Sequence, residues 1–132
     1  MDLINRYEES PFWALIGLKV DSIEENSAKI KLNITPNLLN GKGILHGGVI
    51  ATMLDAVMGI NIKLRSSEIQ LATINLTTQY IKPVKLNEVI YASAEIIQFG
   101  KNIVCIEARI TNENNDHVSI GIGTFKVNII ER

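Results

Sequence analysis

The sequence predicts an α+β fold in which an antiparallel six-stranded sheet curls round one long helix. Three observations carry this. Several segments alternate apolar and polar residues, the period of a half-buried strand. Residues 47–64 lack that alternation and are apolar on nearly every side. The last four strand-like segments are joined by short turns, which forces neighbouring strands to run antiparallel.

In chain order, residues 2–9 suit a short helix that stops before Pro11, because the residue before a proline is pushed out of helical geometry. Residues 18–23 read as a strand, and Glu25-Asn26-Ser27 as its turn. Ala28, Ile30, Leu32 and Ile34 then alternate with Lys29, Lys31 and Asn33 and complete a hairpin. A glycine-bearing loop, residues 37–45, leads into the helix. Its few polar residues are Thr52, Asp55, Asn61 and Lys63, so it has to be enclosed rather than laid on a surface. Four strands follow, near residues 70–81, 88–98, 102–111 and 118–129. They are separated at Lys82-Pro83, at Phe99-Gly100-Lys101 and within residues 112–116. On the first of these, Thr73, Asn75, Thr77 and Gln79 form a polar face opposite Ala72, Ile74, Leu76 and Tyr80. The helix is the only element on offer to cover the apolar face of this sheet. It has too many apolar sides for one chain, so a second subunit is expected to supply cover.

The 132 residues suit a single domain, 1–132, with no repeat or linker to divide it. A formal charge of -1 with interspersed signs gives no pull toward nucleic acid or an anionic membrane. No segment reads as a signal peptide or a membrane span, so the expected compartment is the cytoplasm. The single cysteine, Cys105, lies in a strand and reads as a small core hydrophobe. One cysteine and two separated histidines exclude zinc-ligand spacing; His117 falls in a turn. No Gly-x-Ser-x-Gly elbow, phosphate loop or dinucleotide fingerprint occurs.

Two features can carry chemistry. Gly47 and Gly48 open the helix, where the first N–H groups lack partners, the dipole is positive and a ligand can approach the backbone closely. Such an end can hold an anion or a carbonyl oxygen gaining charge, although the same glycines would also serve a tight turn. The second is Asp55, a carboxylate among Met53, Leu54, Ala56, Val57 and Met58, none of which can pair with it. It either accepts bonds from a neighbouring strand or works as a general base. Eight residues separate Gly47 from Asp55, about 12 Å along the axis. If both serve one reaction, they come from different subunits. His46, just before the helix, reads as a cap.

The run Asn40 to Leu45, His46-Gly47-Gly48 and Asp55, followed by Gln79-Tyr80-Ile81-Lys82-Pro83 and Phe99-Gly100-Lys101, resembles the hotdog thioesterases of the phenylacetate-degradation (PaaI) type, within the 4-hydroxybenzoyl-CoA thioesterase superfamily. The resemblance implies hydrolysis of an acyl- or aryl-acyl-CoA to free acid and CoA, without metal or cofactor. By position it makes Asp55 the carboxylate that attacks the thioester or activates water, and Gly47 the amide that polarises the carbonyl. His46 would orient the site, Asn40 would place the water, and Thr73 would stand by the carboxylate. Gly48, Lys82, Gly100 and Lys101 are the candidate substrate contacts, the lysines toward nucleotide phosphates. It further implies homodimers with shared active sites, often paired into homotetramers. A non-catalytic acyl-CoA-binding or regulatory module is the alternative, and a hotdog hydratase a more distant one.

Overall fold

The computed structural model describes residues 2–66 and 68–129, with the backbone alone at Ile129. Two short helices come first, α1 (Leu3–Glu8) and α2 (Pro11–Ile16), then β1 (Lys19–Glu24) and β2 (Ser27–Asn33). A 3₁₀ turn, Pro36–Leu38, precedes the central helix α3 (Gly47–Lys63). The strands β3 (Ile69–Tyr80), β4 (Val89–Phe99), β5 (Ile103–Asn112) and β6 (His117–Ile129) complete the chain. They form one sheet in the order β1-β2-β4-β5-β6-β3, every neighbouring pair antiparallel.

Helix α3 touches β2, β3, β4, β5 and β6. A helix is about 10–12 Å across and strands lie about 4.8 Å apart, so a flat sheet could not reach it with five strands. The sheet must curl. Met53, Leu54, Val57, Met58, Ile60 and Ile62 of the helix are buried against Ile30, Ile90, Val104, Ile106, Ala108 and Phe125 of the strands. Each such side chain contributes about 1.5–3 kcal/mol on burial. Two glycines of β6 let the helix come close: a Cβ on Gly123 would meet Met58 Sδ at 2.5 Å, and one on Gly121 would meet Leu54 Cδ1 at 3.1 Å.

Among the described residues two polar side chains are buried, that of Ser119, whose hydroxyl donates to the Gln79 carbonyl at 2.6 Å, and that of Asn61. Its Oδ1 accepts from the Ala28 N–H at 2.9 Å, and its Nδ2 donates to the carbonyls of Ala28 (3.0 Å) and Val57 (2.8 Å). It pins the β1–β2 hairpin to the helix.

Three sequence expectations need correction. Pro11 does more than end α1: it occupies the first turn of α2, where its missing N–H costs nothing. Helix α3 is therefore not the sole cover, since α2 buries Trp13, whose ring lies 5.0 Å from that of Tyr7 in α1. The polar face expected on β3 is also split. Pairing with β6 slips between Thr73 and Asn75, so Ile74 is an extra residue. Leu71 and Thr73 stand opposite buried Val127 and Phe125, while Leu76, Thr78 and Tyr80 stand opposite Gly123, Gly121 and Ser119. These five face the helix, and Asn75, Thr77 and Gln79 face away.

Candidate active site

The site begins with the cap of α3. His46 has extended backbone angles (φ −63°, ψ 133°), and its Nδ1 accepts from the Gly48 N–H at 2.8 Å. An accepting Nδ1 leaves Nε2 to carry the proton of the neutral ring. The N–H groups of Val49 and Ile50 donate to the His46 carbonyl at 2.9 and 3.4 Å. Of the four orphan donors that open a helix, only the Gly47 N–H has no acceptor among the described residues. Gly48, expected to help hold substrate, has its N–H engaged by His46 instead.

Tyr80 walls this amide. A Cβ on Gly47 would sit 3.3 Å from Tyr80 Cε1, and the phenol donates to the Gly47 carbonyl at 3.3 Å. Sequence reasoning quoted Tyr80 without giving it a role. The signal that could have found it is an aromatic residue facing a helix that opens on two glycines.

Asn40 folds its own loop. Its Oδ1 accepts from the N–H groups of Lys42 (2.9 Å) and Ile44 (3.3 Å), which leaves the amide Nδ2 as a donor. Asn40, Gly47, Ile50, Tyr80, Lys82 and Pro83 line a cavity of about 290 Å³ together with Ile44, Leu45 and Ile81. Lys82 is not a free cation. Its Nζ lies 2.7 Å from Asp116 Oδ2, and that contact, with help from Asn112, holds the Asp116 carboxyl below the usual carboxylate range.

Asp55 stands two turns further along α3 and does not line this cavity. It is half-buried on the helix face toward β3, and Thr73 Oγ1 donates to its Oδ1 at 2.7 Å. The strand supplies a side chain rather than backbone groups. Gly100 and Lys101 lie at the opposite end of α3 from Gly47. Arg65, just past the helix, stacks its guanidinium 5.6 Å from the centre of the Phe99 ring, next to their turn. The Gly100 N–H donates to the Ile103 carbonyl at 2.8 Å, and Lys101 is exposed. One chain therefore gathers Asn40, His46, Gly47, Gly48 and Lys82 at one end, Asp55 with Thr73 in the middle, and Gly100 with Lys101 at the other.

A cavity of about 570 Å³ lies at that far end between Ser27, Asn61, Arg65 and Glu95. It holds neither the free amide nor Asp55. Among the described residues no group of three or more His, Cys, Asp or Glu side chains is placed to hold a metal ion, and no helix is long and apolar enough to cross a membrane.

A sequence model of the thioesterase superfamily matches residues 42–119, which takes in the helix cap, Asp55 and Thr73. The chain belongs to the thioesterase superfamily. It is a thioester hydrolase with a hotdog fold of the PaaI type. Over 126 residues the thioesterase is 29% identical to Ta0293 of Thermoplasma acidophilum, covering 96% of this chain and 95% of that one. It is 25% identical to the medium/long-chain acyl-CoA thioesterase YigI of Salmonella typhimurium, over 89% of this chain and 85% of that protein. Its fold superimposes on the PaaI protein of E. coli, from the phenylacetic acid degradation operon, with a TM-score of 0.85 at 20% identity, covering 96% and 88% of the two chains.

Proposed function

We propose that this thioesterase hydrolyses the thioester of an acyl- or aryl-acyl-CoA, with Asp55 of one protomer and Gly47 of its partner acting on the same carbonyl. The observation that carries the reading is the Gly47 N–H, the first-turn donor left without a partner. The positive end of a 17-residue helix stands behind it. As nucleophile, Asp55 attacks the carbonyl carbon and forms an anhydride that water opens. As general base, it takes a proton from a water that Asn40 Nδ2 holds. In either case the carbonyl oxygen gains charge facing the Gly47 N–H, the carbon–sulfur bond breaks and the CoA sulfur leaves. Thr73 fixes the carboxylate, and His46 keeps the Gly48 amide occupied so that one donor points at substrate. Lys101, beside Gly100 from the partner, is the cation assigned to the nucleotide phosphates, and Lys82 would join it only by giving up Asp116.

A homodimer is supported by the shape of the chain. The edge strand β1 is six residues long, charged and bulged, which blunts it. The other edge strand, β3, runs for 12 residues with no Lys, Arg or Pro, and Ile74 is 55% exposed on it. Beside β3 the helix leaves Gly48, Val49, Ala51, Thr52, Asp55 and Ala56 partly or fully open. A second copy laid along this edge covers both and brings two antiparallel helices together. The amide of one then approaches the carboxylate of the other. Pairing of such dimers into tetramers is compatible with the same edge.

The test is Asp55→Asn, with CoA release followed by a thiol reagent on a panel of acyl-CoA thioesters. Loss of about 10²–10⁴ in turnover is expected. Undiminished turnover removes Asp55 from the mechanism.

A further inference from the structure

Asn40 is the one asparagine of the sequence that a glycine follows. Nothing in the fold asks for that glycine. Gly41 has a φ outside the left-handed region, in contrast to Gly43 at 79°, and a Cβ on it would meet nothing within 4 Å. What glycine does offer is close approach of another group to its backbone. Asparagine is among the chemically labile side chains, and here the approaching group is the Asn40 carboxamide itself.

The loop brings the two together. Asn40 Oδ1 accepts from the Lys42 N–H at 2.9 Å and from the Ile44 N–H at 3.3 Å. The ring that the first bond closes runs through the Gly41 nitrogen, so the side chain is folded back over that peptide. The Gly41 N–H has no acceptor among the described residues. Two donors on one carboxamide oxygen draw charge from Cγ and face the oxyanion that forms when a nucleophile adds there. Gly41, Lys42 and Gly43 are exposed, so water and base reach the site.

We propose that Asn40 is a self-modification site, whose conversion by the Gly41 nitrogen turns the enzyme off as it ages. The nitrogen gives its proton to a solvent base and bonds to Asn40 Cγ. The tetrahedral carbon then expels Nδ2, which takes up a proton and departs as ammonia, and a five-membered imide remains. Water opens one of the two imide carbonyls. One opening gives aspartate; the other gives isoaspartate, in which the main chain runs through the former side chain. Both products lack the Nδ2 donor. Isoaspartate also inserts a methylene into a loop closed by the Asn40 N–H on the Ile44 carbonyl (2.8 Å) and the Gly43 N–H on the Asn40 carbonyl (3.0 Å). The loss of activity rests on the acyl-CoA reading above, in which that donor holds water; the chemical step does not.

Wild type, Gly41→Ala and Asn40→Asp are aged in warm, mildly alkaline water enriched in heavy oxygen, and sampled for peptide mass and for CoA release from acyl-CoA thioesters. Folded wild type should gain labelled oxygen at residue 40 and none at Asn37, which is exposed but precedes a leucine. An isoaspartyl methyltransferase should find its substrate in the same peptide. Activity should decay with the rate constant of labelling. Gly41→Ala should start near wild-type activity, since alanine fits, and label about tenfold more slowly, equivalent to about 1.4 kcal/mol on the barrier. Asn40→Asp should be about tenfold or more below wild type from the start, as the misplacement of one reactant predicts. Residue 40 left unlabelled in the folded protein overturns the proposal. So does labelling that runs to completion with activity unchanged, or a Gly41→Ala protein that ages as fast as wild type. A fresh wild type that turns over no thioester removes the acyl-CoA reading instead, and the masses of wild type and Gly41→Ala still decide the chemical step.

Discussion

Gly47→Pro removes one hydrogen from the protein and little else. Proline is well tolerated at the first position of a helix, and His46 before it already has the extended ψ of 133° that a following proline demands. The added ring atoms would press on Tyr80, whose Cε1 lies 3.3 Å from a Cβ at this position, but that side chain is 58% exposed and can yield. Stability should therefore change by less than about 1 kcal/mol. The Gly48 N–H cannot substitute, because His46 Nδ1 holds it at 2.8 Å. Losing a lone oxyanion donor costs about 10²–10³ in kcat, or about 2.7–4 kcal/mol. The assay is CoA release at saturating substrate, with Tm measured in parallel. Mixing extends the test to the assembly. Gly47→Pro and Asp55→Asn chains unfolded together and refolded at equal ratio form mixed dimers in half of cases. Each mixed dimer holds one site built from two native halves, so about a quarter of wild-type activity should return. A Gly47→Pro enzyme within a few-fold of wild type, or a mixture no more active than its parts, would refute the shared-site reasoning.

Asn61→Leu keeps the side-chain branching but strands the buried N–H and carbonyl of Ala28, at about 1–3 kcal/mol for each group, so denaturant unfolding should show a loss of about 2–6 kcal/mol. Asn75→Lys with Thr77→Lys places like charges on the exposed side of β3; sedimentation should report a monomer with unaltered far-UV circular dichroism and no activity. Asp116 has its pKa depressed chiefly by its hydrogen bond with Lys82. The stability this pair adds is present above the unfolded pKa and is lost as pH falls through the folded one. An NMR titration of the Asp116 carboxyl should therefore find a midpoint below that of an ordinary aspartate, moving up in Lys82→Ala.

The parts of this fold legible in the sequence are those governed by period. Strands β2, β4, β5 and β6 and helix α3 appeared within a residue or two of their observed ends, because alternation and its absence depend only on which side is buried. Helix α2 was missed because Phe12, Leu15 and Ile16 make too short a run for any period, and proline reads as a stop before it reads as a start. Within the candidate site, Gly47 and Asp55 were legible as chemical oddities: an unshielded helix end and a carboxylate in an apolar run. What could not be read is which amide is free, since that depends on a histidine ring turning back onto the next residue but one.

The bulge at Ile74 is the feature that joins the two halves of the proposed site within a strand. Thr73 and Tyr80 are seven residues apart, an odd number, so a regular strand would point them to opposite faces of the sheet. Both nevertheless touch α3, Thr73 through Asp55 and Tyr80 through Gly47. One extra residue between them resolves the conflict, since each inserted position reverses the faces of everything beyond it. Without it, either the carboxylate would lose its hydroxyl donor or the free amide would lose its aromatic wall. The same residue leaves an exposed isoleucine on the unguarded edge, where a partner subunit is expected to pair. The irregularity that period-based reading could not see is thus what lets one strand hold the helix by its carboxylate and by its cap at once.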